Sequence, residues 1–336
     1  MGFYTNKKIL ITGATGTIGQ RLVRQLLQEK PAVIRVFSRD EYKQYEMQQS
    51  LSGYNYVLRY LIGDVRDLNR LMRAMEDIDF VFHLAAMKHV PACEYNPFEA
   101  VQTNVIGTQN VIQAALYNNV SKVLFTSTDK AASPINTYGA TKLMGERLVS
   151  AANYQKGPKA TVFASVRFGN VIGSRGSVIP LFKRQILEQR KITVTDLGMT
   201  RYMMTPNQAI SLMLEANRLS KGGEVFVLKM PVVRLSDLAE ILVEELPKRY
   251  AITEPIAIEE IGLRPGEKMY EQLMTADEER NMIETEWMYI LPPVYGQVKA
   301  SPADYAISSQ PVLKYDTARV ISKGTLRAWL MEESIL

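Results

Sequence analysis

A single cysteine, Cys93, stands in the whole chain, which excludes an intramolecular disulfide and fits a reducing, cytoplasmic compartment. The only histidines are His83 and His89, so no Cys/His cluster exists and no metal site is expected. His83, inside an apolar strand pattern, reads as a satisfied core histidine. Runs of one charge are also missing. No five basic residues are consecutive, and a net charge of +5 over 336 residues is mild, so nucleic acid is not indicated. Plain solvation accounts for that excess, or a positive cleft that draws in an anionic ligand. No stretch reaches the ~18 uncharged apolar residues of a membrane span, so no membrane partner is expected. No repeat and no low-complexity segment is present. The opening MGFYTNKK runs directly into an apolar strand pattern, so no secretory signal is expected.

What is present is the balance of a soluble globular protein, 46% hydrophobic and 22% charged, enough to build a sizeable core. The length suits one enlarged α/β domain or a large domain with a small one. Short β-type runs occur at Lys8 to Thr12 (KILIT), Val33 to Phe37, Tyr56 to Ile62, Phe80 to Leu84 and Lys122 to Thr126. Helical spacing fills the gaps at Ile18 to Lys30, Leu68 to Met75 and Val101 to Tyr117. This alternation predicts βαβ units and a parallel sheet covered on both faces. From about Gly173 the rhythm changes. A helix over Pro206 to Leu219 and a strand over Glu224 to Leu228 then return to the sheet. The expected division is a dinucleotide-binding domain over residues 1–172, rejoined by 206–229, and a smaller substrate domain from 173–205 and 230–336.

Gly13-Ala14-Thr15-Gly16-Thr17-Ile18-Gly19 follows the first strand and opens the first helix. Glycines there let the backbone turn tightly and approach a pyrophosphate, which sits on free N–H groups at the helix N-terminus. The fold class expected is therefore α/β, a Rossmann-type doubly wound parallel sheet with a smaller, interleaved C-terminal domain. The second strand ends on Ser38 and Arg39, with Lys43 one turn on, where a site for NAD usually has a carboxylate. A hydroxyl and cations suit a 2′-phosphate, so NADP is expected over NAD, although Asp40 is close enough to keep NAD open.

Tyr138 and Lys142, in Tyr-Gly-Ala-Thr-Lys, are spaced i and i+4 and share one face of a helix. An ammonium beside a phenol stabilises the phenolate and lowers its pKa. Thr128, Asp129 and Lys130 follow the strand KVLFT, at a carboxyl end where parallel sheets bind ligands. An acid and a base adjacent to a Thr-Tyr-Lys set point to proton removal α to a ketone and loss of a β-hydroxyl. Out of context, Asp129 and Lys130 would be a surface ion pair.

The GxxGxxG spacing and the YxxxK pair resemble the extended short-chain dehydrogenases. That resemblance implies that Tyr138 exchanges a proton with a substrate hydroxyl, Thr128 bonds the same hydroxyl, and Lys142 holds the nicotinamide ribose. It also places Asp64 and Val65 at the adenine, and Ala85 and Ala86 beside the cofactor. The run Thr126 to Arg147 is similar to sugar-nucleotide 4,6-dehydratases of the polysaccharide-biosynthesis branch. The likeness continues through His83 to Pro91, Thr103-Asn104-Val105, Arg167 to Val171 and Gly262 to Lys268, and covers roughly residues 5–275. The Asp-Lys form is typical of enzymes acting on UDP-N-acetylglucosamine. It implies hydride transfer from C4, loss of water across C5/C6 with Lys130 as base and Asp129 as acid, and hydride return to C6. Lys130 must then be neutral, by a lowered pKa. Substrate contacts implied by the family are Met87, Lys88, Asn170, Arg201 and Arg264. Retention of Tyr138 without an N-terminal membrane region resembles the C5-inverting, pseudaminic acid type, with C5 retention left open. The resemblance also implies a cytoplasmic homo-oligomer, such as a hexamer. A UDP-sugar 4-epimerase shares Thr128, Tyr138 and Lys142 but needs no Asp129-Lys130. A protein that senses NADP without chemistry needs none of the set.

Overall fold

The computed structural model describes residues 2–293, 302–305 and 320–336. Strands β1 (Lys8–Thr12), β2 (Val33–Ser38), β3 (Leu58–Ile62), β4 (Phe80–His83), β5 (Lys122–Thr126) and β6 (Val162–Arg167) pair in parallel in the spatial order 3-2-1-4-5-6. That is the doubly wound order, and its direction of winding reverses between β1 and β4. The sheet has helices on both faces, so its central strands are buried almost throughout, as in β4 and β5. Leu22 and Leu26 of the helix Thr17–Gln28 pack with Met213 of Pro206–Leu219 in one apolar cluster. Leu71, Val111, Ala115 and Val149, from three other helices, form a second.

The later strands are β7 (Asn170–Val171), β8 (Lys191–Val194), β9 (Thr200–Met204), β10 (Val225–Leu228), β11 (Val232–Arg234), β12 (Ala257–Glu260), β13 (Ile283–Glu284) and β14 (Met288–Leu291). The helix Pro206–Leu219 starts where Thr205 and Gln208 form a reciprocal capping box with Pro206 in the first turn. It leads into β10, which adds in parallel beside β6, the return expected from the sequence. Residues 283–291 depart from the expected division: β14 pairs antiparallel with β10, and β13 with β14, so this stretch extends the large sheet. Its apolar Met288 and Ile290 belong to the large-sheet core, which is the physical reason. A third core of Ile179, Phe182, Ile192, Leu238, Leu242 and Trp329 holds the smaller unit. Its sheets are β11-β9-β7 and β12-β8.

The helical pattern over 101–117 is not one uniform α-helix. A π turn occupies Gln102–Ile106 before the helix Gly107–Tyr117. Such turns re-aim side chains and cluster at functional sites. Here the turn carries Asn104, whose Oδ1 accepts from Met87 N–H at 2.8 Å. Its Nδ2 donates to the Met87 carbonyl and to Thr141 Oγ1.

Candidate active site

The carboxyl ends of β1, β4, β5 and β6 open into a cavity of about 620 Å³ between the large sheet and the smaller unit. Thr128, Lys130, Tyr138 and Lys142 line it together with Asn170, Arg201 and Arg264. The cavity thus unites all but one of the expected catalytic residues with four of the five expected substrate contacts, Lys88 being the fourth. Asp129, the exception, is fully buried immediately behind the wall.

Two local devices set Tyr138. Asn136 caps the helix Thr137–Gln155 by accepting from Gly139 N–H at 2.8 Å, and its Nδ2 donates to the Gly266 carbonyl at 2.9 Å. The helix start is thereby tied to the loop that carries Arg264. Gly139, next to the tyrosine, lies against the turn Asp129–Ala131. A Cβ there would sit 2.2 Å from the Lys130 carbonyl oxygen, so only glycine allows the two segments to touch.

The electrostatics differ from the sequence expectation at two positions. Desolvation in the cavity pushes the Tyr138 phenol up to about 12, while the Lys130 charge and the Thr128 side chain pull it down. The phenol is thus raised where a lowered value was expected, and the leading charge acting on it is that of Lys130. Burial brings Lys142 down to about 7 against the pull of Glu146, and its Nζ lies 4.0 Å from the Phe125 ring centroid. Lys130 is the second correction. Burial alone would lower it, but Asp129 and Glu271 outweigh both that and the opposing Arg201, so its pKa is raised and it is held as an ammonium. Its Nζ donates to Asp129 Oδ1 at 3.0 Å and lies 3.4 Å from Glu271 Oε1. Thr128 Oγ1 donates to the same Asp129 oxygen at 3.0 Å. This is no surface ion pair.

The glycine loop has the form a pyrophosphate requires. Gly13 has φ +68°, and a Cβ on it would meet Ala85 N at 2.8 Å, so β1 and β4 approach closely at the winding reversal. Gly16 precedes the helix Thr17–Gln28, whose first turn carries no acidic side chain and leaves its N–H groups for an anion. Ile18 and Ala86 line the adjoining cavity, while Thr15 lies in the loop, Thr17 and Gly19 in the first turn of the helix and Ala85 just past β4.

At the end of β2, Ser38 is buried and accepts from Gln44 Nε2, while Arg39 is exposed. Asp40 caps the helix Glu41–Ser50 through Lys43 N–H and is ion-paired with the Lys43 ammonium. Asp64 is held by Arg66 through three hydrogen bonds, with Arg39 3.6 Å away; Val65 is buried behind it. His83 is buried between Thr12 and Thr108, and burial brings it down to about 3.

Among the other expected substrate contacts, Lys88 lines the cavity. Met87 does not: Asn104 holds its backbone outside the lining. Three residues were not singled out from the sequence. Glu271 and Asn104 are described above. Arg175 donates from Nη2 to the Thr15 carbonyl at 2.6 Å and from its N–H to Thr17 Oγ1 at 3.1 Å, joining the smaller unit to the glycine loop. Glu271 lies just beyond a quoted motif, and Arg175 carries no local signal.

Comparison with known proteins agrees with this architecture. The crystal structure of Pen from Bacillus thuringiensis is 53% identical, with a TM-score of 0.89 over 98% of this chain and 99% of that one. An uncharacterised membrane protein of Methanocaldococcus jannaschii is 47% identical over 99% of this chain and 98% of its own length. No helix among the described residues is long and apolar enough to cross a membrane. UDP-N-acetylglucosamine 4,6-dehydratase (inverting) of Campylobacter jejuni is 44% identical over 86% of this chain and 84% of its own. A UDP-glucose 4-epimerase of Rickettsia prowazekii is 40% identical over 82% and 80%. The fold is also that of DesIV, a dTDP-glucose 4,6-dehydratase from Streptomyces venezuelae solved with NAD, at TM-score 0.71, 23% identity, and 81% and 90% coverage. The family model for polysaccharide biosynthesis proteins matches residues 9–293, from β1 to just past β14. That span takes in every cavity residue named above, and the chain belongs to the polysaccharide biosynthesis protein family.

Proposed function

We propose that this protein is a UDP-N-acetylglucosamine 4,6-dehydratase, a hydro-lyase forming a UDP-4-keto-6-deoxy-N-acetylhexosamine, with C5 inverted. The observation that carries the reading is the buried Asp129-Lys130 contact in the same cavity as Thr128 and Tyr138. An epimerase acting at C4 has no use for that pair. The name of the Campylobacter jejuni relative supports the substrate, the reaction and its stereochemistry. The product is of the kind used on the pseudaminic acid route.

The cradle at Gly13, Gly16 and the helix start fits a nicotinamide dinucleotide, with Lys142 at its ribose and Asp64 and Val65 at its adenine. When bound, that cofactor supplies the acceptor and donor of hydride. NADP is preferred because the nearby carboxylate, Asp40, is already engaged by Lys43, while Arg39, exposed and 3.6 Å from Asp64, stands next to Ser38. Tyr138, once its own phenol proton has passed through the open cavity to solvent, takes the C4 hydroxyl proton as a phenolate, with Thr128 bonding the same oxygen. The resulting ketone acidifies C5. Lys130 then removes the C5 proton and Asp129 protonates the departing C6 hydroxyl. Because Lys130 is held as an ammonium, this scheme requires one proton to pass along the 3.0 Å contact from Lys130 to Asp129 before elimination. Asn170, Arg201 and Arg264 hold the nucleotide diphosphate, and Lys88 the sugar side.

In this reading the large sheet holds the cofactor and the smaller unit the nucleotide sugar. Exposed Tyr95, Phe98 and Met144, on adjacent helices, support a homo-oligomer. The test is incubation of the protein with UDP-N-acetylglucosamine and NADP, followed by proton NMR. A 4-keto-6-deoxy product with L-arabino couplings is expected. D-xylo couplings would establish retention, and UDP-N-acetylgalactosamine would replace the dehydratase by an epimerase.

A further inference from the structure

Glu271 is a buried carboxylate in the cavity wall for which the scheme above has no role. Its side chain is 4% exposed, and it comes from the segment following the Arg264 loop. Its Oε1 lies 3.4 Å from Lys130 Nζ, on a lysine already bound to Asp129 at 3.0 Å. Glu271 Oε2 and Asp129 Oδ2 are both buried and take no hydrogen bond among the described residues. Two carboxylates and one amine thus share a dry corner of the site, faced by Arg201 and by Tyr138.

We propose that Glu271 is a positioning residue of the elimination step: it anchors Lys130 against Asp129 and supplies the negative charge that stabilises the ammonium formed when Lys130 takes the C5 proton. This rests on the dehydratase reading. The proton balance shows why a second carboxylate is needed. The scheme requires that one proton pass from Lys130 to Asp129 before elimination, leaving an amine and an acid beside Glu271. During elimination the C5–H bond breaks and its proton joins Lys130. The C6–O bond breaks, the Asp129 proton goes to that oxygen, and water leaves. Lys130 ends as an ammonium between two carboxylates. At the start the amine faces a protonated, neutral Asp129, so Glu271 is the one anion of the group that strengthens it as a base. A buried opposite charge within ~4–6 Å raises proton affinity in this way. Arg201 works against it, which makes the loss of Glu271 more damaging.

The test compares Glu271→Gln and Glu271→Asp with the parent enzyme, each charged with NADP and UDP-N-acetylglucosamine. C4 oxidation is read from the absorbance of the reduced nicotinamide in a single turnover, and water loss from the C6 methyl signal by NMR. In Glu271→Gln, C4 oxidation should stay within about twofold, while dehydration slows by about 10²-fold, the scale of a lost general base. The alkaline limb of the dehydration pH profile should move down, because an amine without its anion loses its proton more readily. Glu271→Asp keeps the charge and should leave that limb in place with an intermediate rate. If Glu271→Gln does not fold, Glu271→Asp still decides the matter, since oxidation and dehydration falling by one common factor would overturn the proposal. So would an unmoved alkaline limb or unchanged dehydration in Glu271→Gln. A parent enzyme that forms no 4-keto-6-deoxy product would overturn the underlying reading and this proposal with it.

Discussion

Replacing Gly139 by alanine puts one methyl group where the tyrosine helix touches the turn of the acid–base pair. Its Cβ would lie 2.2 Å from the Lys130 carbonyl oxygen and 3.1 Å from Pro134 Cβ. Real Cβ atoms essentially never approach closer than 3.0 Å, so helix and turn must part by about 0.8 Å, that is 3.0 minus 2.2. Two effects compete. Alanine favours a helix over glycine by about 1 kcal/mol, less in a first turn. Forced overpacking costs about 1–3 kcal/mol, and here the obstacle is backbone that no rotamer change can move. The clash wins, and the melting temperature should fall by a few degrees. The shift separates Tyr138 from Thr128 and Lys130, and a misplacement near 1 Å costs about 10²-fold in rate. NADP affinity should fall much less than turnover, because the glycine loop lies on other strands and Lys142 is the cofactor contact on this helix. Turnover of UDP-N-acetylglucosamine, thermal melting and cofactor titration provide the measurements. A variant with parental turnover and a raised melting temperature would refute the claim that this contact sets the site.

Arg39→Ala should weaken NADP by about 10–100-fold, the 1.5–3 kcal/mol of a charge-assisted bond, and leave NAD unchanged; equal losses would remove Arg39 from the 2′-phosphate site. Lys130→Ala should still reduce the cofactor slowly in a stoichiometric sample but release no water; parental turnover would show that Lys130 is not the base. Arg167 is fully buried and bonds Glu146, Glu278 and the Leu273 carbonyl, so Arg167→Ala leaves buried Glu146 without its cation and part-buried Glu278 with only the Thr275 N–H, and should cost about 3–5 kcal/mol in denaturant unfolding near pH 7. Burial alone would raise Glu278, but Arg167 brings it below the usual glutamate range. Its contribution is therefore complete above the unfolded value of about 4.3 and disappears as pH falls through the lower folded value. The gap between parent and variant should narrow in acid, and a gap independent of pH would contradict this pairing.

The sheet was legible, and so was the gathering of Thr128, Lys130, Tyr138 and Lys142 at one cavity, because each rests on local pattern. Apolar runs closed by glycine mark β1 and β4, and Tyr138 and Lys142 declare their shared face by spacing alone. Residues 283–291 were misplaced because strand pairing across the chain leaves no mark in a short apolar segment. Chemistry set by distant partners was equally hidden. Lys130 was expected neutral, yet Glu271, 141 positions away in the chain, joins Asp129 in holding its charge. The π turn that aims Asn104 at Met87 reads in sequence as continuous helix.

The central claim is that oxidation, elimination and reduction occur in one cavity on one sugar. UDP-N-acetylglucosamine carrying deuterium at C4 tests it most directly, with the product read by deuterium and proton NMR. The account predicts a 4-keto-6-deoxy sugar with the C4 deuterium recovered in its C6 methyl group. Deuterium still at C4, in UDP-N-acetylgalactosamine, or a C6 methyl free of the label, would contradict it.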